Sequence, residues 1–367
     1  MPDEQLQNAS RHFALDLVRW QKKHGRNSLP WQNTRDPYRV WLSEIMLQQT
    51  QVTTVVDYYG RFLQRFSTVA ELAAAQLDDV LALWSGLGYY SRARNLHRCA
   101  QQVMTIHGGR FPQGAEELQT LPGIGPSTAA AIASFCYAER VAILDGNVKR
   151  VLTRVFSFSG DLAEAVQERK LWRIASNLLP EFNLKESMPR YTQGLMDLGA
   201  TICTPKKPQC PSCPVQALCC SFANGESEKY PVKTRKLKRS AQQLSLLWAH
   251  RPDGSVWLER RPASGIWGGL YCLPVFETLD ALKAFLPKRL HSRMTSLKPF
   301  KHVLTHKDLH MSPVITGFMT NQDMPFSALG GEGARASEPA GAWFGPHEWP
   351  ALGLPAPIRK LLANELI

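Results

Sequence analysis

Apolar residues recur at intervals of three and four through the first part of the chain, up to about residue 222. In one segment they are Val52, Val55, Val56, Tyr59, Phe62, Leu63 and Phe66, and in another they are Leu96, Cys99, Val103 and Ile106. This spacing places side chains on one face of an α-helix, and the segments end at glycine or proline, as helices commonly do. The pattern predicts an all-α domain over residues 1–222.

The helical period stops at residue 223, and no apolar period is visible over residues 223–241. The stretch contains Lys233, Arg235, Lys236, Lys238 and Arg239. A run of like charges without an apolar face remains solvated. We therefore predict a basic linker at 223–241.

Beyond the linker the pattern changes from helical to mixed. Strand-like runs occupy 243–250 and 255–260, a helix is predicted at 279–290, and two more strand-like runs flank 305–308. The first two runs enclose a Pro-Asp-Gly turn. Residues 242–367 are therefore predicted to form an α+β domain, and the chain is predicted to be multidomain.

Composition and charge narrow the class of protein. Of 367 residues, 44% are hydrophobic, and Lys and Arg exceed Asp and Glu by 43 to 31, a net charge of +12. A basic excess favours a polyanionic partner, although a merely basic surface is the ordinary alternative. Since no apolar run has membrane length and residues 1–11 show no apolar signal segment, we expect no membrane partner and a reducing, cytoplasmic compartment.

Four cysteines lie within seventeen residues, with six, two and five residues between them. They are Cys203, Cys210, Cys213 and Cys219. One compact loop that offers four thiolates favours an iron–sulfur cluster over zinc, which usually takes two Cys-x2-4-Cys pairs; zinc and a disulfide framework remain alternatives. Cys99, Cys136 and Cys272 are single cysteines among apolar residues and are predicted to be core residues, while Cys220 adjoins the last candidate ligand.

The sequence Leu121-Pro-Gly-Ile-Gly125 joins two predicted helices, 115–120 and 126–137. Its glycines allow a close approach to another molecule, and the unpaired amides at the start of the second helix form an anion site. We interpret residues 115–137 as a helix-hairpin-helix element that binds the phosphate backbone of nucleic acid; a plain turn between helices is the alternative.

Two carboxylates are candidates for chemistry. Glu44 lies one turn before Gln48, at the border of the apolar face of a helix predicted at 38–51, where loss of hydration could raise its pKa and make it a proton donor. Asp145 follows the apolar run 141–144 and precedes a predicted helix at 148–156. As a helix N-cap it is expected to stay ionised and could stabilise a cation at a sugar carbon. The alternatives are a solvated helix Glu and a simple cap.

These motifs, in this order, resemble the MutY-type adenine DNA glycosylases of the endonuclease III, helix-hairpin-helix superfamily. The resemblance covers nearly the whole chain. Besides the hairpin and the cysteine loop, it is carried by Leu29-Pro-Trp31, Trp41-Leu-Ser-Glu-Ile-Met-Leu-Gln-Gln-Thr-Gln51, Gly86-Leu-Gly-Tyr-Tyr-Ser-Arg92 and Ile143-Leu-Asp-Gly-Asn-Val-Lys-Arg150.

The resemblance implies roles for the residues of the helical domain. It implies that Glu44 protonates an extruded adenine at N7, that Asp145 stabilises the oxocarbenium-like sugar, and that Asn147 helps to hold the transition state. It implies a [4Fe-4S] cluster on the four cysteines. The residues it assigns to the adenine pocket and to contacts with DNA are Trp31, Gln48, Gln49, Thr50, Leu87, Gly88, Tyr89, Gly123, Gly125, Ser127 and Gln193.

Ser127 occupies the position at which pyrimidine-excising relatives carry a Schiff-base lysine. The resemblance therefore implies a monofunctional glycosylase without efficient lyase activity.

The carboxy-terminal domain resembles the Nudix-like module of the same family through Gly265-Ile-Trp-Gly-Gly-Leu-Tyr-Cys-Leu-Pro274. No glutamate-rich metal box follows Pro274, so the domain is expected to recognise 8-oxoguanine without hydrolysing nucleotides. Thr305 and His306 are the candidate contacts. They stand in Leu304-Thr305-His306, where the family usually has Phe-Ser-His.

The expected function is removal of adenine from A:8-oxoguanine or A:G mispairs in double-stranded DNA, by a monomer associated with the nucleoid. Three other functions compete with it. An endonuclease III-like pyrimidine glycosylase and lyase is disfavoured by Ser127, and a catalytically silent sensor of damaged DNA by the presence of Glu44 and Asp145. A Nudix nucleotide hydrolase lacks the metal box.

Overall fold

The computed structural model describes residues 3–234, 239–318 and 341–363. The chain divides into two compact units. The helical unit contains residues Met1–Ala74 and Asn95–Lys236, and the mixed unit contains Ala75–Arg94 and Leu237–Ile367. The predicted limits 1–222, 223–241 and 242–367 stay a prediction; residues 235–238 of the predicted linker lie outside the described residues.

The helical unit is built of α-helices over its described residues, as the apolar period predicts. Their bounds are α1 Asp3–His24, α2 Pro37–Leu47, α3 Val52–Arg65, α4 Val69–Ala74, α6 Ser91–Ile106 (from residue 95), α7 Ala115–Leu118, α8 Pro126–Tyr137, α9 Gly146–Val155, α10 Ala165–Asn177, α11 Leu184–Asp197 and α12 Cys220–Ala223. A π-helical turn, Leu198–Ile202, extends α11 into the cysteine loop. The core lies where α1, α8, α9 and α11 pack together.

Helix α2 confirms the predicted apolar face but not the predicted length. Its stripe Tyr38, Trp41, Leu42, Ile45 and Met46 is buried, and Asp36 caps its start by accepting a hydrogen bond from the Tyr38 amide. The helix ends at Leu47 rather than at residue 51, because the chain leaves helical geometry there and enters the left-handed region one residue after the C-cap. The predicted helix start at residue 126 is confirmed.

The mixed unit combines one sheet with short helices. Its elements are α5 Leu77–Trp84, the start of α6, β1 Ser240–His250, β2 Val256–Arg260, β3 Tyr271–Cys272, β4 Val275–Phe276, α13 Leu279–Phe285, β5 Thr295–Ser296, β6 Phe300–Val303, β7 Lys307–Gly317, β8 Gly341–Phe344 and α14 Ala356–Leu362. The sheet follows the order β3-β2-β1-β7-β5, with β4 on β1, β6 on β7 and β8 on β2. Strands β1 and β7 pair in parallel, with Ser240 opposite Lys307.

The predicted helix at 279–290 is shorter in the structure. Helix α13 ends at Phe285, because Leu286 precedes a proline and takes an extended conformation. A 3-10 helix, Lys288–Arg293, follows Pro287.

Residues 75–94 belong to the mixed unit through direct hydrogen bonds. The Ser85 hydroxyl and the Tyr90 hydroxyl both donate to the carbonyl of Leu354, at 2.7 and 3.2 Å. Arg94 donates to the Gly268 carbonyl at 2.6 Å. These bonds hold the loop that carries Tyr89 against the carboxy-terminal sequence.

None of the helices in the part of the chain that the structure describes is long and apolar enough to span a bilayer.

Candidate functional site

A cleft of about 800 Å³ opens in the helical unit and contains Glu44. Helix α2 presents this carboxylate beside its buried stripe. Burial, followed by the nearby charge of Asp145, raises the pKa of Glu44 to about 8. Within the described residues its carboxylate has no hydrogen bond or ion pair. A neutral carboxylic acid at physiological pH is what general-acid catalysis requires.

Asp145 is the N-cap of α9. Its Oδ1 accepts a hydrogen bond from the Val148 amide at 2.8 Å. Burial is the largest influence and raises its pKa, while the helix amides and the cations of Arg150 and Lys149 lower it. The cap is therefore confirmed, but its pKa is raised where a helix start alone would lower it, because burial of the carboxylate outweighs the amides.

Asn147 lies in the first turn of α9 and is held by an arginine that the sequence analysis missed. Arg150 donates to Asn147 Oδ1 at 2.9 Å, to the Gly199 carbonyl at 2.5 Å and to the Cys203 carbonyl at 2.7 Å. A Cβ atom at Gly199 would lie 2.7 Å from the Asn147 Cβ, so only glycine permits this approach. Arg150 is the last residue of the motif Ile143–Arg150, and its place in that motif is the sequence signal that could have identified it.

Trp31 and Gln193, the predicted pocket residues, both line the same cleft as Glu44. Trp31 is 6% exposed, and its ring packs edge-on against Tyr59 at 5.4 Å between centroids. Gln193 donates to Asp197 Oδ1 at 2.8 Å. Asp197 also accepts from the Arg26 amide and side chain, at 2.9 and 2.7 Å. Sequence analysis did not identify Asp197, which fixes the amide of Gln193.

Gln48, Gln49 and Thr50 form the turn after α2. Gln48 donates to the Thr128 hydroxyl at 3.4 Å, and the Thr50 hydroxyl donates to the Gln48 carbonyl at 3.3 Å. Gln49 is exposed with a φ of 55°. This turn presents amide groups from a fixed backbone.

The hairpin has the conformation that its glycines permit. Gly123 has a φ of 79°, and a Cβ there would lie 2.7 Å from the Asn95 Cβ. Gly125 is the N-cap of α8 and faces open space. The Ser127 hydroxyl accepts a hydrogen bond from the Leu144 amide at 3.0 Å, one residue before Asp145. Ser127 thus helps to position the segment that leads into α9, and its side chain offers no amine.

The mixed unit places Tyr89 against Thr305. Their hydroxyl oxygens are 2.5 Å apart, and Tyr89 is 42% exposed with a φ of 49°. Gly88 accepts hydrogen bonds from the side chains of Trp84 and Arg92. Leu87, predicted to contact the duplex, is only 6% exposed. The structure therefore brings together two predicted lesion contacts and buries a third.

Thr305 and His306 lie in the turn between β6 and β7, and both are exposed. The turn is closed by the Leu304 amide, which donates to the Lys307 carbonyl at 2.8 Å. The His306 carbonyl accepts from the Ser240 amide at 3.1 Å. The backbone of the turn is thus fixed, and its two side chains are exposed, with the Thr305 hydroxyl bonded to that of Tyr89.

The cysteine loop brings its four thiols to one cavity between α9, the π-helical turn and α12. Cys203, Cys210, Cys213 and Cys219 all line it. Burial raises the pKa of Cys203, although the hydrogen bond from Arg154 and the charges of Arg154 and Arg150 act to lower it. Burial also raises the pKa of Cys213 to about 12. Buried thiolates need a compensating cation, which iron would supply, so this donor set fits a cluster.

All eight cysteines lie in the described residues and none forms a disulfide. Cys99, Cys136 and Cys272 are buried, as predicted for core residues.

Two family models match separate segments of the chain. The family model described as HhH-GPD superfamily base excision DNA repair protein matches residues 42–176, and a NUDIX domain model matches residues 246–364. The solved structure of a thermostable thymine-DNA glycosylase is 27% identical with a TM-score of 0.52, covering 59% of this chain and 98% of that one. An endonuclease III–DNA complex, 21% identical with a TM-score of 0.50, covers 60% and 97% and shows the shared fold.

Fold, cleft and hairpin together define a DNA N-glycosylase of base-excision repair. Among relatives, the adenine DNA glycosylase of Buchnera aphidicola subsp. Acyrthosiphon pisum is 36% identical over 96% of this chain and 97% of its own length. The human adenine DNA glycosylase is 41% identical over 59% of this chain and 40% of its own length. The chain belongs to the adenine DNA glycosylase family.

Proposed function

We propose that the protein hydrolyses the N-glycosidic bond of adenine paired with 8-oxoguanine or guanine in duplex DNA, acting as a monomer in a reducing compartment. The observation that carries this proposal is Glu44, which lines the cleft and is protonated near neutral pH because burial, and then the charge of Asp145, raises its pKa to about 8. The relatives' activity on adenine and the net charge of +12 support it.

In the proposed reaction, Glu44 donates its proton to N7 of an adenine extruded into the cleft. The bond between C1′ and N9 breaks, and its electron pair stays with the base. The Asp145 carboxylate stabilises the positive sugar, with Asn147 supporting the transition state. Water then adds to C1′, and its proton returns to Glu44. Trp31 and Gln193 would line the base pocket.

The proposed DNA contacts lie on both units. The hairpin glycines Gly123 and Gly125 would let the start of α8 approach a phosphate, where unpaired amides favour an anion. Gln48, Gln49 and Thr50 would contact the duplex from the helical unit. Leu87, Gly88 and Tyr89 would do so from the mixed unit; for Leu87 this needs movement out of its buried position.

A direct assay tests the function together with the absence of lyase activity. With protein in excess over a duplex containing A:8-oxoguanine, we expect release of free adenine and an intact strand that breaks only after alkali treatment. Because Ser127 has no amine, borohydride should trap little enzyme–DNA adduct. An S127K variant serves as the positive control for trapping. Efficient trapping of the unsubstituted protein would contradict the monofunctional assignment.

We propose that Cys203, Cys210, Cys213 and Cys219 hold a [4Fe-4S] cluster, which stabilises the loop that they form. The proposal is supported by their shared cavity. Zinc, the alternative, usually takes two Cys-x2-4-Cys pairs, whereas these four cysteines lie in one compact loop. A cluster spans a wider set of thiolates than one tetrahedral ion does.

Protein purified without oxygen is expected to be yellow-brown and to contain iron at cluster stoichiometry. C213A should lose iron and DNA affinity, whereas C220A, which changes an exposed neighbouring cysteine, should keep both. Elemental analysis is the measurement. Stoichiometric zinc without iron would overturn the cluster assignment.

We propose that Thr305 and His306 distinguish 8-oxoguanine from guanine, with Tyr89 as their partner. 8-Oxoguanine carries a proton at N7 that guanine lacks, so a reader must offer it an acceptor. The Thr305 hydroxyl, exposed and oriented by Tyr89, can accept that hydrogen bond.

The variant T305V combined with H306A is expected to lower the preference for 8-oxoguanine over guanine by roughly 1–3 kcal/mol, the scale of one base-edge contact. Adenine chemistry should be retained because Glu44 is untouched. Y89F tests the orienting bond separately and should have a smaller effect. Affinity and single-turnover excision on both duplexes, at one salt concentration, give the ratio. An unchanged ratio would place discrimination at Gln49 instead.

A further inference from the structure

Arg154 in α9 is a buried cation beside the cysteine loop. Only 2% of the residue is exposed. Its Nη1 donates to Cys203 Sγ at 3.4 Å and to the Thr204 carbonyl at 2.7 Å. Its Nη2 donates to the Pro205 carbonyl at 2.9 Å, and its Nε to the Tyr230 carbonyl at 3.2 Å. Each guanidinium nitrogen therefore has an acceptor.

These bonds join three separate stretches of the chain. Arg154 connects α9 to the first residues of the cysteine loop and to Tyr230, which lies within the predicted linker 223–241. Its own carbonyl accepts a hydrogen bond from Cys219 Sγ at 3.6 Å. The residue thus touches the first and the last of the four candidate ligands. A lysine could not reproduce this set, since a single nitrogen cannot reach all of the acceptors.

The charge of Arg154 also needs explanation. A buried cation is costly unless an anion compensates it. Among the described residues no carboxylate pairs with Arg154; its partners are neutral carbonyls and a thiol. Four thiolates around an iron–sulfur cluster would bring net negative charge to this cavity, which Arg154 lines.

We propose that Arg154 is a positioning residue for the cluster: it holds the Cys203 end of the loop, supplies the counter-charge, and fastens the segment at Tyr230 to the same point. The proposal rests on the cluster proposed above. Hydrogen bonds to ligand sulfurs and nearby charge set the stability and reduction potential of such clusters. Arg154 supplies both through one side chain.

The test compares R154K and R154M with the control R140K. Arg140 also donates to backbone carbonyls, those of Leu179 and Pro180, but outside the cysteine loop. On adding an iron chelator, the cluster absorbance should decay about tenfold faster in R154M, the factor produced by about 1.4 kcal/mol, and also faster in R154K. R140K should match the unsubstituted protein. Hydrogen exchange over residues 226–234 should rise in both Arg154 variants.

The reduction potential separates positioning of the cluster from general structural support. R154M should lower it, because loss of the cation and of the donor to Cys203 Sγ disfavours the more negative reduced state; R154K, which keeps the charge, should lie between. An R154M protein with natural decay rate and potential would overturn the proposal. If R154M does not fold, R154K decides by the same two readouts. An unsubstituted protein without iron would refute the cluster itself, which is a different result.

Discussion

E44Q is expected to bind a duplex with A:8-oxoguanine as the unsubstituted protein does, yet to excise adenine about 10²–10⁴ times more slowly. Glutamine keeps the shape of the side chain but cannot give up a proton, and removal of a general acid has effects of this size. Single-turnover rates measure the chemical step, and a binding assay at fixed salt measures affinity.

The matched control is E186Q. Glu186 lines the same cleft, but it is exposed and paired with Lys22 and Arg190 at 3.4 and 3.5 Å. Its replacement should change the rate far less than E44Q does. Equal effects of the two variants would mean that the cleft needs negative charge in general and that Glu44 is not the proton donor.

D145N is expected to cripple excision by a similar factor while leaving the fold stable. Asn caps a helix about as well as Asp, so the hydrogen bond from the Val148 amide can persist, but the negative charge that stabilises the sugar cation is lost. Single-turnover excision and thermal unfolding, measured on the same preparation, separate the two roles.

D36N provides the comparison for D145N. Asp36 is likewise an N-cap and accepts a hydrogen bond from the Tyr38 amide at 2.9 Å. The D36N variant should keep an adenine excision rate and a thermal stability close to those of the unsubstituted protein. If D145N excises adenine at the natural rate, Asp145 is only a cap.

Local periodicity predicted much of the fold. The buried face of α2 and the bounds of α8 follow from the spacing of apolar residues and from Gly125-Pro126, and both are confirmed. The end of α2 could not be predicted, because neither Gln48 nor Gln49 is a helix breaker by type. The place of residues 75–94 in the mixed unit depends on long-range bonds such as that from Ser85 to Leu354.

In the candidate site, too, the features that depend on long-range contacts could not be predicted from the sequence. Motif order pointed to Glu44 and Asp145, and helix position predicted that desolvation raises the pKa of Glu44. The raised pKa of Asp145 could not be predicted, since it reflects how deeply the folded chain buries a cap. Arg150, Arg154 and Asp197 were missed because their importance arises from partners distant in sequence.

The pH dependence of adenine release tests the central claim most directly. A donor with a raised pKa is active while protonated, so the single-turnover rate should hold below pH 8 and fall as the pH rises through about 8. E44Q should lack this decrease, because the group that titrates is gone. Its residual rate should be independent of pH over the same range. Two results would contradict the assignment of Glu44 as the proton donor. One is an excision rate of the unsubstituted protein that stays constant from pH 6 to well above 8, and the other is a decrease in rate above pH 8 that persists in E44Q.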